Sequence, residues 1–184
     1  MFKKNLLPKQ NKKLVWMAII LIISLSFLLF ERTSPDPTSF SSSNPVVLVK
    51  VYKTDHRLEL WTENQALAQF HIALGSNTIG HKQQEGDGKT PEGRYMLDYK
   101  NANSAYFRSI HISYPNTHDI ENAKQKGVSA GSQIMIHGQR NGTGWLGWFT
   151  QHFDWTQGCI ALTNDDMALI WKLIQTPTPI EIYP

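Results

Sequence analysis

Cysteine is nearly absent from this chain: Cys159 is the only one among 184 residues. An internal disulfide is therefore excluded. A lone thiol is either a small buried apolar side chain or a reactive group. Basic charge is scarce where a binding surface would need it. Lys3, Lys4, Lys9, Lys12, Lys13 and Arg32 stand against Glu31 in the first 32 positions, so the formal charge of +3 leaves −2 for the rest of the chain. A domain of that sign has no electrostatic footprint for nucleic acid. A nucleotide-phosphate loop is also missing: Gly86-Asp87-Gly88-Lys89-Thr90 has the glycines and the lysine, but Pro91 follows where a helix must begin. A zinc peptidase would have to use His137, His152 and Cys159, and no further histidine or carboxylate joins them at helical ligand spacing. No internal repeat is present.

There is one long apolar run, Leu14 to Phe30, interrupted only by Ser24 and Ser26 and preceded by five lysines. Its length is about the minimum for a membrane-crossing helix, and the lysines keep its start on the cytoplasmic side. The residues that follow, Phe30-Glu31-Arg32-Thr33, lack the small-residue pattern of a cleavage site. Residues 1–30 are thus expected to be a basic cytoplasmic tip and an uncleaved signal anchor in the membrane, with a cleaved signal peptide and a soluble periplasmic product as the alternative. Residues 31–45, rich in Ser, Thr and Pro, read as an extended linker. Residues 46–184 are long enough to bury a core of their own and lie on the exported side.

That domain reads as mostly β. Val46 to Tyr52 is β-branched, Arg57 to Trp61 alternates with period two, and Lys53 to His56 is the turn between them. Ala66–Leu74, Arg94–Tyr99, Phe107–Tyr114, Gln133–Ile136, Cys159–Leu162 and Ile180–Tyr183 are further expected strands. Gly75 to Gly93 is loop, with Gly86 to Gly93 its densest turn, a structural turn rather than a contact. Asp119–Lys126 is a short polar helix ending at Gly127. After Thr163 as N-cap, Met167, Ile170, Trp171 and Ile174 give a packed C-terminal helix its apolar face, and Thr176-Pro177 stops it.

Cys159 enters a strand directly after Gly158, where a thiol is exposed and substrate can approach the backbone. His137 ends the strand Gln133–Ile136 and is a candidate base that would lower the thiol's pKa; His152 is nearer in sequence but lies among aromatics. The N–H groups of Gly158 and Cys159 are candidate oxyanion donors. On cysteine count alone Cys159 reads equally as a buried small side chain or a functional thiol; its neighbours favour the functional reading, with a buried small side chain and, for His137, a core histidine as the alternatives. Between them, Asn141 to Gly144 supply a flexible stretch, and Trp145, Trp148, Phe149 and Trp155 form either a substrate groove or lid, or ordinary packing.

Ile136-His137-Gly138 followed by Thr156-Gln157-Gly158-Cys159-Ile160, with Thr90-Pro91-Glu92-Gly93 upstream, resembles the active-site signature of L,D-transpeptidases, the YkuD-type catalytic domain. Gln157 stands where the strict motif has His, and Ala161 where it has Arg or Asn. The resemblance implies an L,D-transpeptidase-like β-sandwich with one packed C-terminal helix, a Cys159 thioester on peptidoglycan stem peptides, and no cofactor or metal. His137 would be the base, its ring oriented by a backbone carbonyl, that of Gly138. Gly158, Gly138 and Gln157 would supply backbone and oxyanion contacts, and Thr156, His152, Trp145 and Trp148 would face the substrate. The acyl group would pass to an amine, in wall cross-linking or protein anchoring. Passing it to water would make the protein an L,D-carboxypeptidase or amidase. A non-catalytic wall-binding module is the third reading.

Overall fold

The computed structural model describes residues 15–17 and 45–184, so the expected anchor and linker lie almost wholly outside the described residues. Among the described residues no helix is long and apolar enough to cross a membrane.

Eight strands form one sheet: β1 (Leu48–Tyr52), β2 (Arg57–Trp61), β3 (Ala66–His71), β4 (Gly93–Asn101), β5 (Ser109–Ile112), β6 (Met135–His137), β7 (Ile160–Ala161) and β8 (Thr178–Tyr183). Their spatial order is β3-β2-β1-β8-β4-β5-β6-β7. The alternation legible in the sequence sets which face is inward: Val49 and Val51 of β1, Leu58 and Leu60 of β2, Leu97 of β4 and Ile180 of β8 are all fully buried. Two strand pairs are parallel, β1 with β8 and β6 with β7, so the chain must cross over to make them.

The expected sandwich is instead a single curled sheet. Ala73, just past β3, exchanges backbone bonds with Ala161 of β7 at 2.9 and 2.8 Å, and Gly75 bridges to Thr156. The two ends of the sheet therefore meet, which satisfies edge groups that would otherwise be exposed. Three α-helices accompany the strands within residues 45–184: the expected α1 (Thr117–Gln125) and α3 (Asn164–Leu173), and between them the unexpected single turn α2 (Gly147–Thr150), preceded by a 3-10 turn at Gly144–Leu146. α3 has the expected cap, Thr163 Oγ1 accepting from Asp166 N–H at 3.2 Å, and buries Met167, Ile170 and Ile174; Trp171 stays partly exposed, beneath the cations of Lys100 and Arg108. It ends at Leu173, three residues before Thr176-Pro177. α1 begins earlier than expected because Asn116 and Asp119 form a capping box.

Candidate active site

Register brings the two candidate groups to one face. β6 and β7 pair in parallel with Ile136 opposite Ile160 and His137 opposite Ala161. Cys159 is one step before Ile160, so the period-two alternation places it on the same face as Met135 and His137, while Ile136 and Ile160 turn to the core, both fully buried. The Cys159 Sγ is half-buried, receives the Met135 N–H at 3.4 Å and lies 3.7 Å from the Gln133 carbonyl.

His137 is only 5% exposed. Its Nδ1 lies 2.6 Å from the Gly138 carbonyl, which can only accept, so Nδ1 carries the proton and Nε2 is left with its lone pair. Burial pushes the imidazole below its ordinary range, with the Gly138 carbonyl opposing. Burial pushes the Cys159 thiol up, opposed by the Met135 N–H and by the charge of Lys82. A raised thiol and a lowered imidazole both favour the neutral pair over the ion pair. The alkylation rate of Cys159 by iodoacetamide, plotted against pH, should thus inflect above the ~8.5 of an ordinary thiol. An inflection well below that value, lost in His137→Ala, would restore the ion pair.

The turn that presents Cys159 is held by its own residues and by the loop of residues 75–92. Thr156, expected at the substrate surface, is 4% exposed; its Oγ1 donates to the Cys159 carbonyl at 2.7 Å and accepts from Gly158 N–H at 3.1 Å. Gly158 has φ +120°, and a Cβ there would sit 2.4 Å from the Lys89 carbonyl, so only glycine fits. Asp87 organises the loop by accepting from the N–H groups of Gln83, Gln84 and Lys89 and from buried Lys82 at 2.8 Å. Its other anchor is Lys53, whose Nζ donates to the carbonyls of Gly80 and Thr90 and to Glu92. The turn Gly86–Gly93 is thus a buttress behind the thiol.

The segment from Gly138 to Asp154 is tethered at both ends. Gln139 is bonded to Asn164, Leu162 and Thr150, and Asn141, expected to be a flexible position, ties Ala105, Phe107 and Ser104. At the other end Asp154 accepts from Leu74 N–H at 2.7 Å and pairs with His56 at 2.8 Å, and His71 bonds the Gln151 carbonyl. Between the tethers Trp145, Trp148, Phe149 and Phe153 are exposed, Trp145 by 73%. His152 and Gln157 are also exposed. Gly138 N–H bonds the Arg108 carbonyl at 3.3 Å. Among the described residues no three His, Cys, Asp or Glu side chains gather as a metal-ligand set. Lys82, Asp154 and Gln139 were not legible as site residues, since each lies on a loop without periodicity.

The chain matches the L,D-transpeptidase catalytic domain (YkuD) over residues 46–182. YafK of Escherichia coli (strain K12), whose L,D-transpeptidase name is itself provisional, is 27% identical over 187 residues, taking in 91% of this chain and 68% of YafK. Pgp2 of Campylobacter jejuni, described as a helical cell shape determining protein, superposes with a TM-score of 0.58 at 26% identity, over 76% of this chain and 48% of Pgp2. The chain thus spans about half the length of that structure. An L,D-transpeptidase of Xylanimonas cellulosilytica shares the fold at a TM-score of 0.52 and 14% identity, over 83% of this chain and 64% of that one. With a match that runs through all but the ends of its folded part, this chain belongs to the L,D-transpeptidase catalytic domain family.

Proposed function

We propose that the protein is a cysteine acyltransferase acting on peptidoglycan stem peptides. The observation that carries this reading is the His137 tautomer: with Nδ1–H committed to the Gly138 carbonyl, Nε2 is a ready proton acceptor on the face that presents Cys159. In the reaction, Sγ bonds to the carbonyl carbon of the third, dibasic stem residue as its proton passes to His137 Nε2. The tetrahedral intermediate then collapses. The bond to the terminal D-alanine breaks, its amine leaves with the proton from His137, and a Cys159 thioester remains. An incoming amine attacks that thioester, gives a proton to His137 and restores the thiol. Of the proposed oxyanion donors, Gly158 and Gly138 already donate to Thr156 Oγ1 and the Arg108 carbonyl, so the developing charge falls to the N–H groups of Cys159 and Gln157. Trp145, Trp148 and His152 form the surface that the wall polymer meets; Thr156 acts on the turn.

The likeness to Pgp2 extends this reading to a part in cell shape. The five lysines and the apolar run that follows them support a periplasmic domain held in the inner membrane by its N-terminal segment.

Intact-mass and muropeptide analysis after incubating the full-length protein with purified peptidoglycan tests the proposal. The expected result is an acyl adduct on Cys159, released D-alanine and new cross-linked peptides. Shortened stems without cross-links would instead make it an L,D-carboxypeptidase, and binding with no adduct would make it a non-catalytic wall module. Fractionation of the same cells should retain the protein in the inner membrane. A soluble periplasmic product cleaved near residue 30 would overturn the anchor.

A further inference from the structure

His137 packs against two aromatic side chains that the acyl-transfer chemistry does not itself require. The Tyr106 ring lies 4.7 Å from the imidazole, centroid to centroid, with 41° between the planes. The Trp155 ring lies 5.7 Å from it at 65°, edge to face. Tyr106 and Trp155 also meet each other, at 6.1 Å. All three separations fall in the range where aromatic rings attract one another.

Both partners are themselves fixed. Tyr106 sits on the segment between β4 and β5, where its N–H bonds Ser104 Oγ and where Asn141 ties the carbonyls of Ser104 and Ala105. The Trp155 indole Nε1 is buried without a hydrogen-bond partner, so no bond of its own side chain places it. Its neighbours do so: Leu74 donates its N–H to Asp154 and accepts from the Thr156 N–H, and Asp154 is also paired with His56.

We propose that Tyr106 and Trp155 are positioning residues for the proposed base, packing against each other and against adjacent sides of the His137 imidazole as a clamp that limits its tilt and keeps water off it. A single bond through Nδ1 leaves the ring free to tilt about the line to the Gly138 carbonyl; two packed rings remove that freedom. Misplacement of a reacting group by about 1 Å is enough to lower a rate about 100-fold. The same enclosure accounts for the burial that holds His137 below its ordinary range, and so neutral and able to accept a proton at pH 7. Tyr106 packs on the ring itself, and Cys159 lies on the same face of the β6–β7 pair. Asp154, beside Trp155, is committed to His56 and Leu74; Lys82 is committed to Asp87 and the Gln84 carbonyl; the Arg108 guanidinium lies over Phe107 and Trp171; and His152 is exposed on the same segment as Trp155.

This inference rests on His137 being the base, and its test has one arm that needs no turnover. In the full-length protein with isotope-labelled histidine, the His137 ring is titrated by NMR in wild type, Tyr106→Ala, Trp155→Ala and Tyr106→Phe. Opening the clamp lets water in, so the midpoint should rise toward the ordinary ~6.5 in both alanine variants, and Tyr106→Phe should keep the wild-type value. In the second arm, the acidic limb of thioester formation against pH should move up with the NMR midpoint, and the rate at its optimum should fall on the order of 10- to 100-fold. An unmoved midpoint in the alanine variants, or a Tyr106→Phe variant as impaired as Tyr106→Ala, would overturn the clamp. If Trp155→Ala does not fold, Tyr106→Ala, at a half-buried side chain, decides the matter alone by the same criteria. A wild type that forms no thioester at any pH sinks the acyl-transfer reading and leaves the titration arm to decide the clamp.

Discussion

His137→Ala should lower D-alanine release by roughly 100- to 10,000-fold, the range lost with a general base, and bring it close to the level of Cys159→Ala. The double variant should be no worse than either single one, because a nucleophile and its base act as a unit. The reason lies in the neutral resting pair. A thiol held protonated by burial cannot attack until a base takes its proton, and Nε2 of His137 is the acceptor left over by the bond to Gly138. His152 is exposed, on a segment flanked by Phe149 and Phe153, and His152→Ala should change apparent affinity for polymeric substrate more than turnover. Rates for all four variants, measured with the same peptidoglycan preparation, check this. Loss of thioester formation in His152→Ala with its retention in His137→Ala would reverse the assignment.

Lys53→Met should destabilise the domain by about 3–5 kcal/mol, the cost of removing one partner from a buried ion pair. Lys53 is 2% exposed and uses all three ammonium protons: on Glu92 at 2.7 Å, the Gly80 carbonyl at 2.8 Å and the Thr90 carbonyl at 3.2 Å. Methionine matches the volume but leaves a carboxylate and two carbonyls without their donor. Adding Glu92→Leu should recover only part of the loss, since the carbonyls stay unpaired. Urea midpoints at constant m-value measure both steps. The effect should also reach the chemistry, because the loop that Lys53 holds packs the Lys89 carbonyl against Gly158, next to the nucleophile. A loss below about 1 kcal/mol in the single variant would mean that the pair contributes little beyond its own desolvation.

Features whose physics is local were legible along the chain. Alternating apolar residues placed the strands around Val49, Leu58, Leu97 and Ile180, because a pleated strand shows its faces every second residue. Thr163 and Asp166 marked the start of α3, since a cap needs only three residues to close. The order of Thr90-Pro91-Glu92-Gly93, Ile136-His137-Gly138 and Thr156-Gln157-Gly158-Cys159 was enough to point to the family. Strand and helix ends were less legible: β3 stops at His71, since Ala73 leaves that ladder to bridge Ala161 on the far edge of the sheet.

The remaining features depend on contacts between residues far apart in the chain. That one sheet curls until its edges meet depends on bonds between residues 88 positions apart, such as Ala73 and Ala161, and no local pattern encodes them. The direction in which burial moves the two pKa values at the site depends on the same distant contacts. Sequence places a thiol and an imidazole in order and suggests that they attract as ions, but how strongly burial opposes their charges depends on what covers them. That cover comes from Tyr106 and Trp155 around His137, and from the loop of residues 75–92 behind Cys159. Desolvation depends on everything within several ångströms of a charge, irrespective of position along the chain.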